Sequence, residues 1–189
     1  MIRTAKKFYT QDEYLAFERA SLEKHEYYQG EIFDMAGGSL SHSQLQMNFT
    51  RETGYFLKGK SCKIHASELR VHIPLNTLYT YPDAQIICGE IRMLDNAFDT
   101  ILNPVVIVEI LSKSTQSYDR GDKFLLYRSI QSLKEYILID SLSVKVEHYT
   151  RQENEDWVLK EYTSLSDSLY IQSIKYTLPL SELYSGIEL

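Results

Sequence analysis

The sequence predicts a mixed α/β fold, a mixed sheet flanked by helices. Two observations carry that expectation. Val105 to Leu111 is apolar on both faces, with Val105, Ile107 and Leu111 on one and Val106, Val108 and Ile110 on the other. A strand of that kind is covered on both sides. The periodic segments then run helix, hairpin, helix, three strands, helix and several strands, an order that places helices on the faces of a sheet.

The elements follow in chain order. Thr10-Gln11-Asp12-Glu13 has the form of a capping box, with Thr10 as N-cap and Glu13 reaching back. A short helix through about Ala20 follows. Tyr27 to Ala36 reads as a hairpin turning at Gln29-Gly30. Ser41-His42-Ser43-Gln44 repeats a capping pattern, and behind it Leu45, Phe49, Thr53 and Phe56 recur at helical spacing. Gly59 is placed to end that helix. Lys63 to Pro74, Ala84 to Cys88 and Val105 to Leu111 are strand candidates. A helix is expected from about Asp119 to Ile130. Glu135 to Asp140 and Val144 to Thr150 form a hairpin around Ser141-Leu142. Trp157 to Tyr162 and Ser168 to Tyr176 add strands.

At 189 residues, with 43% hydrophobic, the chain fits a single domain, residues 1–189, that buries a real core. No run approaches the roughly 20 apolar residues of a membrane span. Met1 to Thr10 is polar and basic, unlike a secretory signal. Cys62 and Cys88 form no C-x-x-C pair and imply no disulfide framework, which points to a reducing cytoplasm. The net charge is −6, from 26 acidic and 20 basic side chains. That balance argues against a general nucleic-acid binder but leaves room for a local basic groove. The 15 tyrosines read first as packing on half-exposed sheets.

Three residues stand out chemically. Glu109 lies within an aliphatic strand, where a carboxylate is costly unless paired, hydrogen-bonded or bound to a metal. It is read evenly as a strand-end Glu with an outside partner or as a site residue. Asp83 follows Pro82 at the entry of another strand. Taken alone it is first a turn cap, yet carboxylates at like ends of adjacent strands would converge. Such a pair suits Mg²⁺, which takes oxygen ligands and keeps several waters. Asp119, Lys123 and Tyr127 are four apart on the following helix and share a face. Lys123 is either a surface partner of Asp119 or an ammonium over the site.

Tyr81-Pro82-Asp83, Val108-Glu109-Ile110-Leu111-Ser112, and Asp119 with Lys123 before Tyr127 resemble the PD-(D/E)XK nuclease superfamily. Within it the chain is similar to the Uma-two family of restriction-endonuclease-like proteins. Glu26 to Ile32, Ser41-His42 and Glu135-Tyr136 match as well, so the likeness runs from Thr10 to about Leu183. The resemblance implies a core order α-β-β-β-α-β with extra C-terminal strands, and a divalent metal held by Asp83 and Glu109. The superfamily's lysine falls two residues after the Glu, where this chain has Leu111. The resemblance therefore assigns the lysine role to Lys123, with Lys113 as second choice. Glu26, His42 and Asp119 are accessory candidates.

The implied function is a metal-dependent endonuclease using Mg²⁺ or Mn²⁺ on nucleic acid, taken as double-stranded DNA, in the cytoplasm. A homodimer would suit two strands to cut. Lys58, Lys60, Lys63, Lys113, Arg120 and Arg128 are candidates for backbone contacts. The alternative is a catalytically inactive module on the same fold, binding nucleic acid or a protein. A third reading is an assembly protein joined through tyrosine-rich strands. His25, His65, His72 and His148 make no zinc pattern, and His65 and His72 are expected on opposite sides of one strand.

Overall fold

The computed structural model describes residues 7–35 and 37–188. Met1 to Lys6, Ala36 and Leu189 lie outside them, so most of the basic N-terminus and the expected end of the first hairpin are not described. The chain is mixed α/β, with mixed sheets flanked by helices.

Helix α1 (Gln11–Ala20) starts on the expected capping box: Thr10 Oγ1 accepts from Glu13 N, and Glu13 Oε2 accepts from Thr10 N. It buries Tyr14, Leu15 and Glu18. Strands β1 (His25–Tyr28) and β2 (Glu31–Asp34) pair antiparallel across a two-residue turn. Gln29 and Gly30 both have positive φ, 47° and 92°, as the twist of a tight hairpin requires. Helix α2 (Leu40–Leu57) begins two residues earlier than the serine pattern indicated. Its N-cap is Ser39, whose Oγ accepts from His42 N at 3.2 Å. Ser39 has the extended backbone of a cap, and that leaves Ser41 inside the first turn. Gly59, at φ 77°, follows the C-cap Lys58.

The expected strand from Lys63 to Pro74 is two strands in two sheets. β3 (Cys62–Ala66) pairs with β6 (Ala84–Cys88), whereas β4 (Arg70–Ile73) pairs with β5 (Leu78–Thr80). The chain changes sheets over residues 67–69, where the Leu69 carbonyl accepts from Gln85 Nε2 instead of continuing a ladder. His65 and His72 therefore lie in different sheets. The three-residue β5 and the two-residue β7 (Thr100–Ile101) carry too little periodicity to be read from sequence.

Strand β8 (Val106–Leu111) pairs antiparallel with β6 and parallel with β9 (Glu135–Asp140). After it, residues 116–127 form one continuous helical segment: α3 (Gln116–Tyr118), a π-turn (Asp119–Lys123) and α4 (Phe124–Tyr127). It stops short of the expected Ile130. β10 (Val146–Arg151) and β11 (Trp157–Tyr162) complete a six-stranded sheet of order β11-β10-β9-β8-β6-β3. The expected strand from Ser168 to Tyr176 is broken by a 3₁₀ turn into β12 (Ser168–Ile171) and β13 (Tyr176–Pro179). Helix α5 (Leu180–Leu183) follows. A five-stranded sheet has the order β2-β1-β5-β4-β7.

Both faces of β8 are covered. Val106, Val108 and Ile110 pack with Leu45 and Phe49 of α2 and with Leu169, Leu178 and Leu183. Ile107 and Leu111 face Phe124, Tyr127, Tyr136 and Leu138, together with Val71, Ile73 and Leu78 of the other sheet. Glu109 alternates onto this second face, between the two sheets.

The cysteines correct an expectation. Cys62 and Cys88 are register partners on β3 and β6 and form a disulfide. Spacing along the chain gave no sign of the pairing, because antiparallel register brings them opposite each other. Disulfides persist in oxidising settings, so the cysteines no longer argue for a reducing compartment. Among the described residues no helix is long and apolar enough to cross a membrane.

Candidate active site

The site begins at the end of β6. Pro82 holds the chain extended into the strand, and Asp83 stands just before it. Asp83 Oδ2 accepts from the Ile110 N–H at 2.7 Å, a bond from β8 itself. Helix α2 holds the same residue twice, one turn apart. His42 Nε2 is 3.2 Å from Asp83 Oδ2, and Gln46 Nε2 donates to the Asp83 carbonyl at 2.8 Å. Hydrogen bonding to Asp83 raises the His42 pKa, against the effect of burial.

Glu109 is 4% exposed. Its Oε1 accepts from Tyr127 Oη at 2.8 Å and meets Lys123 Nζ at 2.9 Å. The ammonium also lies 3.3 Å from Glu26 Oε1 and 3.8 Å from Asp119 Oδ1. Glu26 in turn accepts from Thr80 Oγ1. The π-turn explains this convergence. Its wider turn directs Asp119 and Lys123 inward together, and both are buried. π-turns within helices are uncommon and frequent at functional sites.

Burial is the largest influence on Glu109 and pushes its pKa up to about 8; Lys123 opposes it, and Asp119 and Asp83 reinforce it. Asp119 is also raised, by burial first. Burial works against the Lys123 ammonium, but Glu109, Glu26, Tyr127 and Asp119 hold its pKa well above the ordinary lysine value. Lys123 is therefore a permanent cation among carboxylates.

The structure brings Asp83, Glu109 and Lys123 to one end of β6 and β8, with Glu26, His42 and Asp119 around them. Lys113 is exposed in the turn after β8 and, among the described residues, makes no ion pair. Arg120, expected as a backbone contact, pairs with Glu147 at 3.0 Å. Sequence reasoning missed Gln46 and Thr80. Gln46 was legible only as the position four after His42. Thr80 sits in a strand too short to detect.

The donor set suits one kind of metal. Among the described residues, no three His, Cys, Asp or Glu side chains gather to hold an ion. Asp83 and Glu109 each spend one oxygen on protein partners, and among the described residues the other makes no hydrogen bond. Two such carboxylates fit a hard cation that keeps its waters, as Mg²⁺ does, and fit poorly an ion that prefers nitrogen or sulfur.

Residues 11–181 match a protein-family model, Uma2, described as "Putative restriction endonuclease". Two proteins of Synechocystis sp., both named as uncharacterized, are similar. One is 36% identical over 93% of this chain and 91% of its own length. The other is 37% identical over 85% of this chain and 91% of its own. A crystal structure titled a "putative nuclease belonging to DUF820" from Anabaena variabilis superposes with a TM-score of 0.74 at 19% identity. It covers 94% of this chain and 98% of that one.

Proposed function

The chain belongs to the Uma2 family, and on that premise we propose that it is a metal-dependent nuclease that hydrolyses phosphodiester bonds in DNA, with its chemistry centred on Asp83, Glu109 and Lys123. We read residues 1–189 as one domain serving that site. The observation that carries the proposal is the buried Lys123 ammonium in contact with Glu109, beside the fixed carboxylate of Asp83.

Asp83 and Glu109 would hold a Mg²⁺ or Mn²⁺ ion through their uncommitted oxygens. When bound, such an ion polarises a phosphate oxygen and acidifies a water. The chain's own groups do the rest. His42 and the Ile110 N–H fix Asp83, and Tyr127 fixes Glu109. Lys123 keeps its proton, so it acts as a donor. It orients the attacking water and stabilises charge building on the phosphate. It does not serve as the base. Leu111, buried in the core, leaves no lysine where the wider superfamily has one; the ammonium reaches Glu109 from the π-turn instead. That substitution favours an active site over an inert module on the same fold.

The test is a metal titration followed by melting temperature and by degradation of duplex DNA. Mg²⁺ or Mn²⁺ should raise the melting temperature and support cleavage. Because burial raises the Glu109 pKa and an ion takes the ionised carboxylate, the ion should bind more tightly at pH 8.5 than at 6.5. Asp83→Ala should abolish both effects. DNA binding with no metal response and no cleavage would instead identify a binding module.

A further inference from the structure

A cavity of 520 Å³ opens beside the site and shares Glu26 with it. One wall is the first hairpin, where Glu26 and Phe33 are register partners across β1 and β2 and Tyr28 is two residues along. The opposite wall is the helical segment, with Tyr118, Asp122 and Leu125. Through Glu26 the lining touches the candidate machinery. Lys123 Nζ is 3.3 Å from Glu26 and 6.0 Å from the centre of the Tyr118 ring. The size lies within the range of small-molecule pockets, roughly 300–1,000 Å³.

The lining is not that of a leftover gap in the core. Phe33 is 45% exposed, Tyr118 38% and Leu125 58%, so two aromatic rings and an aliphatic side chain present open faces to a ligand. The charged groups of the lining are carboxylates, Glu26 and Asp122, and among the described residues no cation lines the cavity. Carboxylates repel phosphate and accept from N–H donors. A flat, apolar ligand with amino groups at its edge answers all three features: open rings, acceptors and size.

We propose that this cavity receives the base of a nucleotide adjoining the scissile phosphate, unpaired and turned out of its stack, with amino-bearing bases preferred. The inference rests on the nuclease reading and names the substrate class of the same site. Glu26 lines the cavity and lies 3.3 Å from Lys123 Nζ, so the base next to a phosphate drawn to that ammonium is within reach of the cavity. Aromatic side chains bind unstacked bases in this way. An enzyme that must take up a base acts on single strands, or on duplex that has opened locally. Glu26 and Asp122 accept from the exocyclic amines of adenine, cytosine or guanine, and thymine offers none.

The experiment measures fluorescence anisotropy with labelled oligonucleotides of one length: oligo-dA, oligo-dT, an abasic strand and a blunt duplex. Glu109→Gln serves as a background that cannot cut, and Phe33→Ala and Asp122→Asn are made within it. Oligo-dA should bind on the order of tenfold more tightly than the abasic strand, and more tightly than oligo-dT or the duplex. Phe33→Ala should lose that factor on oligo-dA and leave the abasic strand unchanged, and its melting temperature verifies folding. Asp122→Asn should narrow the gap between dA and dT. Equal affinity for dA, dT and abasic strands overturns the proposal, as does equal weakening of all strands by Phe33→Ala. Cleavage by the wild-type chain is scored separately. Metal-dependent cutting without base dependence leaves the nuclease standing and removes the pocket. Base-dependent binding without cutting leaves the pocket standing and removes the nuclease.

Discussion

Lys123 carries an unusual electrostatic duty, since one ammonium faces Glu109, Glu26 and Asp119 in a nearly dry space. Removing it leaves buried carboxylates facing each other. Lys123→Met should lower unfolding free energy by about 3 kcal/mol, read by urea denaturation. Adding Glu109→Gln should restore part of the loss, because an amide needs neither a cation beside it nor a proton taken up in its place. A single variant as stable as the wild type would mean that the ammonium compensates nothing. Glu109 was legible in sequence because a carboxylate amid aliphatics is physically anomalous. Glu26 was named only through the family resemblance, because a carboxylate ahead of a hairpin is ordinary until β5 brings Thr80 beside it and the π-turn brings Lys123.

Helix α2 positions two of the groups that fix Asp83, so where it begins matters. Ser39, not Ser41, accepts the His42 N–H. Ser39→Ala should cost about 1 kcal/mol of stability, and Ser41→Ala far less, as thermal melts of the two variants will show. The reverse ranking would restore the start read from sequence. Elements were legible where period and punctuation agreed, as in the capping box at Thr10 and the turn at Gln29-Gly30. They failed where neither marks a change. The break at residues 67–69 carries no Gly or Pro, and the π-turn has the composition of any helix. That turn carries Asp119 and Lys123 inward, so the sequence named these candidates without the geometry that joins them.

The molecule is tied together at a second buried charge. Glu135 on β9 accepts from His148 Nε2 on β10 at 2.7 Å, and from the Gln172 and Ser173 N–H groups of the C-terminal segment. Burial opposes its charge most strongly, but the bonds from His148 and Ser173 outweigh it and hold the pKa below the ordinary 4.5. The unfolded chain therefore binds the proton more readily than the folded one. This contribution to stability is present above about pH 4.5 and is lost as pH falls through the folded-state value. Glu135→Gln should cost about 2 kcal/mol at neutral pH and flatten the acid limb of the stability curve. An unchanged acid limb, measured by denaturation between pH 3 and 6, would remove Glu135 from that account. The cross-strand disulfide was beyond sequence reading for the same reason as this clamp: both depend on which strands lie side by side.

The parallel pairing of β8 with β9 has a consequence for biosynthesis. Every residue proposed for the chemistry precedes Arg128, yet the strand bearing Glu109 has β6 on one flank only until Glu135–Asp140 leaves the ribosome. Tyr136, whose hydroxyl donates to the Asp119 carbonyl and so steadies the π-turn, arrives with that same strand. A nascent chain thus completes its centre only after its last third begins to emerge.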